Sequence, residues 1–178
     1  MTSHLSRDKI TALLHNYETL CLPVFQEFGG QVIKQIGDAY FVLFDSPTNA
    51  VLAGNKLLSV FEENAKTSDP PLQVRIGISV GEVILEKNDV FGEAVNLASR
   101  ILSIAPPNQL YFSDSVYLSM NKAEVSCEPV GEREFKGFQE KMKVYRSAPK
   151  TKYSLISNSN IELEFPEKNI LPNIHRSR

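Results

Sequence analysis

Apolar residues recur at three- and four-residue steps through Ile10, Leu13, Leu14, Tyr17, Leu20, Val24, Phe25 and Phe28. That spacing predicts a helix with one face turned to a core. Ser6 is in place to cap it, Gly29-Gly30 to stop it, and Pro23 to kink it by removing one donor. Two short runs follow, Gln31–Ile36 and Ala39–Asp45, joined by Gly37-Asp38, which reads as a tight hairpin. Strict alternation would put Val32, Lys34 and Ile36 on one face with Ala39, Phe41 and Leu43. The other face would hold Ile33, Gln35, Tyr40, Val42 and Phe44. Both faces are mostly apolar, so both are expected to be covered, one by the helices and the other by a second subunit or a ligand cleft.

Ser46-Pro47 places a cap and a first-turn proline before a second helix carrying Ala50, Val51, Leu57, Leu58 and Phe61. After Asp69-Pro70-Pro71, the residues Leu72, Val74, Ile76, Ile78 and Val80 alternate with polar or small ones, as in a half-buried strand. Val83–Glu86 resumes as strand, and a loop through Asp89 leads into a third helix that Pro106-Pro107 ends. A strand at Gln109–Phe112, a short helix from Ser113, and strands near Arg133–Phe135 and Lys143–Arg146 complete the body. The order implies an α+β sandwich with a mostly antiparallel sheet and helices packed on it. One domain over residues 1–147 is expected, then a tail over 148–178 rich in Ser, Asn and Pro, wrapping or loose.

Composition narrows the class. Hydrophobic residues make up 42% of 178, with 10 Phe and no Trp, so a globular core is expected. A net charge of -2 argues against a nucleic-acid or anionic-membrane partner. The 2 Cys, Cys21 and Cys127, form no spaced framework, which suits a reducing compartment and offers no thiolate metal site. No apolar run reaches membrane length and the start lacks a signal pattern, so the expectation is a cytoplasmic protein.

Candidate chemistry centres on Asn96 and Arg100. Four apart on a helix, they project from one face, where an amide beside a planar cationic fork suits a phosphoryl group. The alternative is a solvated polar stripe. Lys34, among apolar neighbours, either snorkels to water or donates into a cleft. Asp38 is either an ordinary turn residue or a magnesium ligand, and Asp89 either a loop acid or part of a site.

Four segments, in this order and spacing, carry a resemblance: Lys34-Gln35-Ile36-Gly37-Asp38-Ala39, Arg75 through Val83, Asp89 through Arg100, and Phe135-Lys136-Gly137-Phe138. Together they resemble the class III nucleotide cyclase catalytic domain, of the adenylate type, from about Thr2 to Arg146. The resemblance implies a ferredoxin-like α+β fold and a head-to-tail homodimer with sites shared across the interface. It implies that Asp38 holds metal, Mg2+ or Mn2+, two ions in the family. Lys34 and Asp89 would read the purine, Asn96 orient the ribose, Arg100 stabilise the transition state, and Lys136 meet the triphosphate. Asp38 would act from one protomer and Lys34, Asp89, Asn96 and Arg100 from the other.

The donor-acceptor pattern then favours ATP. Lys34 only donates and ionised Asp89 only accepts, complementary to adenine N1 and its 6-amine. Guanine presents the reverse, leaving each group mispaired at a cost of about 1–3 kcal/mol. The expected reaction is attack of the ribose 3′-hydroxyl on the α-phosphorus, giving cyclic AMP and pyrophosphate. One departure stands out. The family's first strand, with a second metal-binding Asp, would precede Thr2–Ser6, and no acid precedes Asp8. Either the natural start lies upstream, the reading preferred here, or this is a catalytically silent module that binds nucleotide or dimerises. An RNA-binding ferredoxin-like domain is disfavoured by the acidic balance and the lack of an aromatic strand motif.

Overall fold

The computed structural model describes residues 7–87 and 89–148. Ser6, the Thr2–Ser6 turn and the tail beyond Ala148 lie outside them. Helix α1 (Arg7–Glu27) runs through Pro23. It stops where Gly29 takes φ +74, the Gly29 amide donates to Gln26 O and the Gly30 amide to Phe25 O. This paired C-terminal arrangement satisfies the last carbonyls and needs a residue that tolerates left-handed backbone.

Strands β1 (Gln31–Ile36) and β2 (Ala39–Leu43) form the expected hairpin. Its faces differ from strict alternation. The register passes from Val32↔Val42 to Lys34↔Phe41, so Ile33 is an extra residue in a bulge. The bulge reverses the pointing of everything before it, which sets Val32 on the Val42 side, away from Lys34. In the single chain one face is left open, with Ile36 63% exposed.

Helix α2 (Pro47–Ala65) starts as expected, with Ser46 Oγ accepting from the Asn49 amide and Pro47 in the first turn. Beyond it the strands are shorter than the pattern suggested. Only Arg75–Ile78 forms β3, because the residues before it follow Asp69-Pro70-Pro71 and Val74 bonds Asn108 instead of a neighbouring strand. Then come β4 (Ile84–Glu86) and β5 (Asp89–Phe91), an antiparallel pair. Asp89 therefore opens a strand and is not in a loop. Helix α3 is Glu93–Ile104, β6 Gln109–Ser113 and α4 Asp114–Ser119, the last capped by buried Ser113. Strand β7 (Cys127–Arg133) starts earlier than the expected run at Arg133–Phe135, and β8 is Met142–Ser147. Pro129 and Gly131, at a register shift, hid the length of β7 from the pattern.

The main sheet has the order β3-β6-β8-β7, with β3 and β6 parallel and the other two pairings antiparallel. Helices cover both faces. Leu110 and Phe112 of β6 pack with Val51 of α2 and Val116 of α4, while Tyr111 between them packs with Leu97 and Ile101 of α3. A second core joins α1, α2 and the hairpin through Cys21, Phe25, Leu57 and Phe61. Burial there pushes the Cys21 thiol up to about 12, which keeps it neutral.

Candidate active site

Lys34 and Asp89, 55 positions apart in the chain, meet at one ion pair. Lys34 Nζ donates to Asp89 Oδ1 at 2.5 Å, bridging β1 and β5. The bulge at Ile33 sets the side of β1 from which Lys34 projects. Asp89 is fixed from a second direction, since its Oδ1 also accepts from the Val90 amide at 2.7 Å. The hydrogen bond from Lys34, then the backbone N–H of Val90, hold the Asp89 carboxyl below its ordinary range. The side chains are 32% and 39% exposed, so the pair is open to a ligand. It offers a cationic donor beside an anionic acceptor.

Asn96 and Arg100 lie on the exposed face of α3, whose other face buries Leu97 and Ile101. Two contacts seat this helix. Ser79 Oγ donates to the Ala94 carbonyl, pinning the first turn to the end of β3. At Gly77 the strand comes so close that an added Cβ would stand 2.6 Å from Leu102 N and 2.7 Å from Ala98 O. Glu93 sits in the first turn, where an acid favours the positive end of the helix.

Asp38 is exposed at the tip of the β1–β2 turn, beside Gly37 with φ +62. Lys136 is exposed on the β7–β8 connection, next to buried Phe135, at the rim of a recess of about 380 Å3. Among the described residues, no hydrogen bond or ion pair joins Asp38, Asn96, Arg100 or Lys136 to the Lys34–Asp89 pair. Within one subunit the fold thus assembles the pair and presents the other four residues singly.

No cluster of three or more acidic, His or Cys side chains able to hold a metal occurs among the described residues. Asp38 is one hard oxygen donor. That suits an ion arriving with nucleotide phosphates and cannot build an all-protein cage.

Sequence reasoning missed the β4–β5 hairpin as an apolar projection. Ile36, Ile84, Leu85 and Phe91 are each half or more exposed, and β5 lies against β1. Its signal was present: Lys87-Asn88 between short apolar runs, with Lys87 at φ 51.

The chain is thus an α+β sandwich with a Lys–Asp pair bridging two of its strands and an exposed helix face that carries Asn96 and Arg100. The family model described as the adenylate and guanylate cyclase catalytic domain matches residues 2–147, and the chain belongs to that family. A serine/threonine-protein kinase, pkn2 of Myxococcus xanthus, is 29% identical over 82% of this chain and 18% of its own length. An adenylate cyclase of Streptomyces coelicolor is 34% identical over 60% of this chain and 27% of its own. A crystal structure of an adenylate/guanylate cyclase/hydrolase from Silicibacter pomeroyi superposes with TM-score 0.73 at 26% identity, covering 85% of this chain and 92% of that one. The chain spans well under a third of the length of these two curated relatives.

Proposed function

We propose that this domain is an adenylate cyclase, converting ATP to cyclic AMP and pyrophosphate at a site completed by a second copy. The observation that carries the reading is the Lys34–Asp89 pair, formed between strands distant in sequence. An acceptor-only carboxylate takes the adenine 6-amine, and a donor-only ammonium takes ring N1. The two satisfy each other across β1 and β5, so neither charge is left unpaired.

Asn96 holds the ribose, and the Arg100 guanidinium lies against the phosphorus as charge spreads over its equatorial oxygens. The 3′-oxygen gives its proton to solvent and bonds to the α-phosphorus, while the bond from that phosphorus to the oxygen bridging to the β-phosphate breaks and pyrophosphate leaves. Lys136 takes charge on the departing pyrophosphate. Holding the 3′-oxygen in line removes much of the entropic barrier. Asp38 would hold Mg2+ or Mn2+ together with the nucleotide phosphates, and the ion would supply charge neutralisation and a more acidic hydroxyl.

Among the described residues no hydrogen bond or ion pair joins Asp38 to Asn96 or Arg100, and the exposed Ile36, Ile84, Leu85 and Phe91 flank the Lys34–Asp89 pair. Burying such a patch against a second subunit supports the shared-site reading. The test is cyclic AMP production from ATP with Mn2+ by the purified protein. Arg100→Ala is expected to lower kcat at least tenfold with a smaller change in KM. Equal turnover by the variant would remove Arg100 from the mechanism.

Asp38, which belongs to no metal-holding cluster among the described residues, favours a second reading, a nucleotide-binding module without turnover. Calorimetric ATP binding with no cyclic product, under conditions where the protein dimerises, would select it.

A further inference from the structure

The face of α3 that packs on the sheet is apolar. Leu97, Ile101 and Ala105 form one cluster with Tyr111, Phe135 and Val144. Such contacts hold a helix down, but they are non-directional and do not by themselves fix its roll or its place along its own axis. Two side-chain hydrogen bonds stay inside the helix and move with it: Ser99 Oγ donates to Val95 O at 3.1 Å and Ser103 Oγ to Arg100 O at 2.6 Å. Among the described residues a single side-chain hydrogen bond ties α3 to another element. Ser79 Oγ, just past the end of β3, donates to the Ala94 carbonyl.

The chain on either side is shaped for this contact. At Gly81 an added Cβ would stand 3.1 Å from the Ala94 Cβ, so the segment leaving β3 passes close to the helix. Gly92, at φ +152, brings the start of α3 against the same segment, where a Cβ would meet Glu82 O at 2.7 Å. Ser79 is half-buried, which shields its hydrogen bond from competition with water. Ala94 lies in the first turn of α3, and Asn96 and Arg100 ride on the same helix, so a slide or roll of α3 moves both.

We propose that Ser79 is a positioning residue, whose hydroxyl sets the seat of α3 and, through it, the aim of Arg100 at the phosphorus. Its effect on turnover rests on the cyclase reading, whereas the tether itself can be read without turnover. Lys34 and Asp89 stand on β1 and β5, outside the helix, so grip on the base does not pass through Ser79. Loss of the hydroxyl therefore falls on kcat more than on KM.

Hydrogen–deuterium exchange on the full-length chain reads the tether. Ser79→Ala is expected to speed exchange of segment 93–99 by about threefold or more. Ser79→Thr, which keeps the hydroxyl, and Ser99→Ala, which removes a bond internal to α3, are expected to leave it unchanged. Steady-state kinetics read the consequence: Ser79→Ala lowers kcat by about tenfold with KM for ATP within about twofold, and Ser79→Thr restores it. Ser79→Cys, a weaker donor of similar size, falls between. In an Arg100→Ala background Ser79→Ala adds little, and in an Asp89→Asn background its effect persists. Unchanged exchange of 93–99 in Ser79→Ala would overturn the proposal even in a chain that makes cyclic AMP. So would a loss of kcat fully additive with that of Arg100→Ala. A chain that makes no cyclic AMP would remove the cyclase reading and leave the exchange result to decide the tether.

Discussion

Lys34 shows how much one side chain's surroundings decide. Among apolar neighbours it could snorkel to water or donate into a cleft, and the fold gives it a partner in Asp89, reaching it from β5. Exchanging the donor and acceptor characters, as in Lys34→Glu with Asp89→Lys, is expected to lower the ATP/GTP ratio of kcat/KM by tenfold or more. An unchanged ratio would refute the base-reading assignment. The same pair has a pH signature. The folded-state pKa of Asp89 is depressed, so its contribution is present above the unfolded carboxylate pKa of about 4 and fades as pH falls through the lower folded value. The stability difference between the unaltered protein and Asp89→Asn should therefore shrink in urea titrations taken from neutral pH into the acid range. Solvent exposure keeps the effect small and salt-sensitive.

Among the elements, α3 carries the most, and its seat depends on the strand beneath it. Gly77 brings β3 against the backbone of Ala98 and Leu102, where no side-chain rotation can relieve an added methyl. Gly77→Ala is expected to destabilise the domain by about 1–3 kcal/mol, read as a lower chemical-denaturation midpoint, and to displace Asn96 and Arg100. A midpoint unchanged by the substitution would mean that α3 moves freely. The helices were legible because long periodic stretches with caps announce themselves: Ser46-Pro47, Gly29-Gly30 and Pro106-Pro107 all mark real ends. The short strands were less so. β5 has three residues, too few for alternation to register, and β7 was concealed by Pro129 and Gly131.

In the whole molecule, the proposed shared site gives the exposed β4–β5 projection a role as its interface. Phe91→Asp, at a residue already 50% exposed, is expected to leave the denaturation midpoint within about 0.5 kcal/mol of the unaltered protein. It should weaken self-association in sedimentation velocity and reduce turnover in parallel. Loss of activity with association intact would separate the patch from the interface.

Local sequence determined the helices, their ends, the first hairpin and the membership of α3 in a polar-faced, apolar-backed class, because each rests on contacts within a few residues. It also held the six candidate site residues, which the family resemblance picks out as a set. The meeting of Lys34 with Asp89, the bulge that turns Val32 away and the parallel β3–β6 pairing were decided only by the tertiary structure. Each depends on pairing between strands far apart in sequence, where register and packing outweigh the preferences of any short segment.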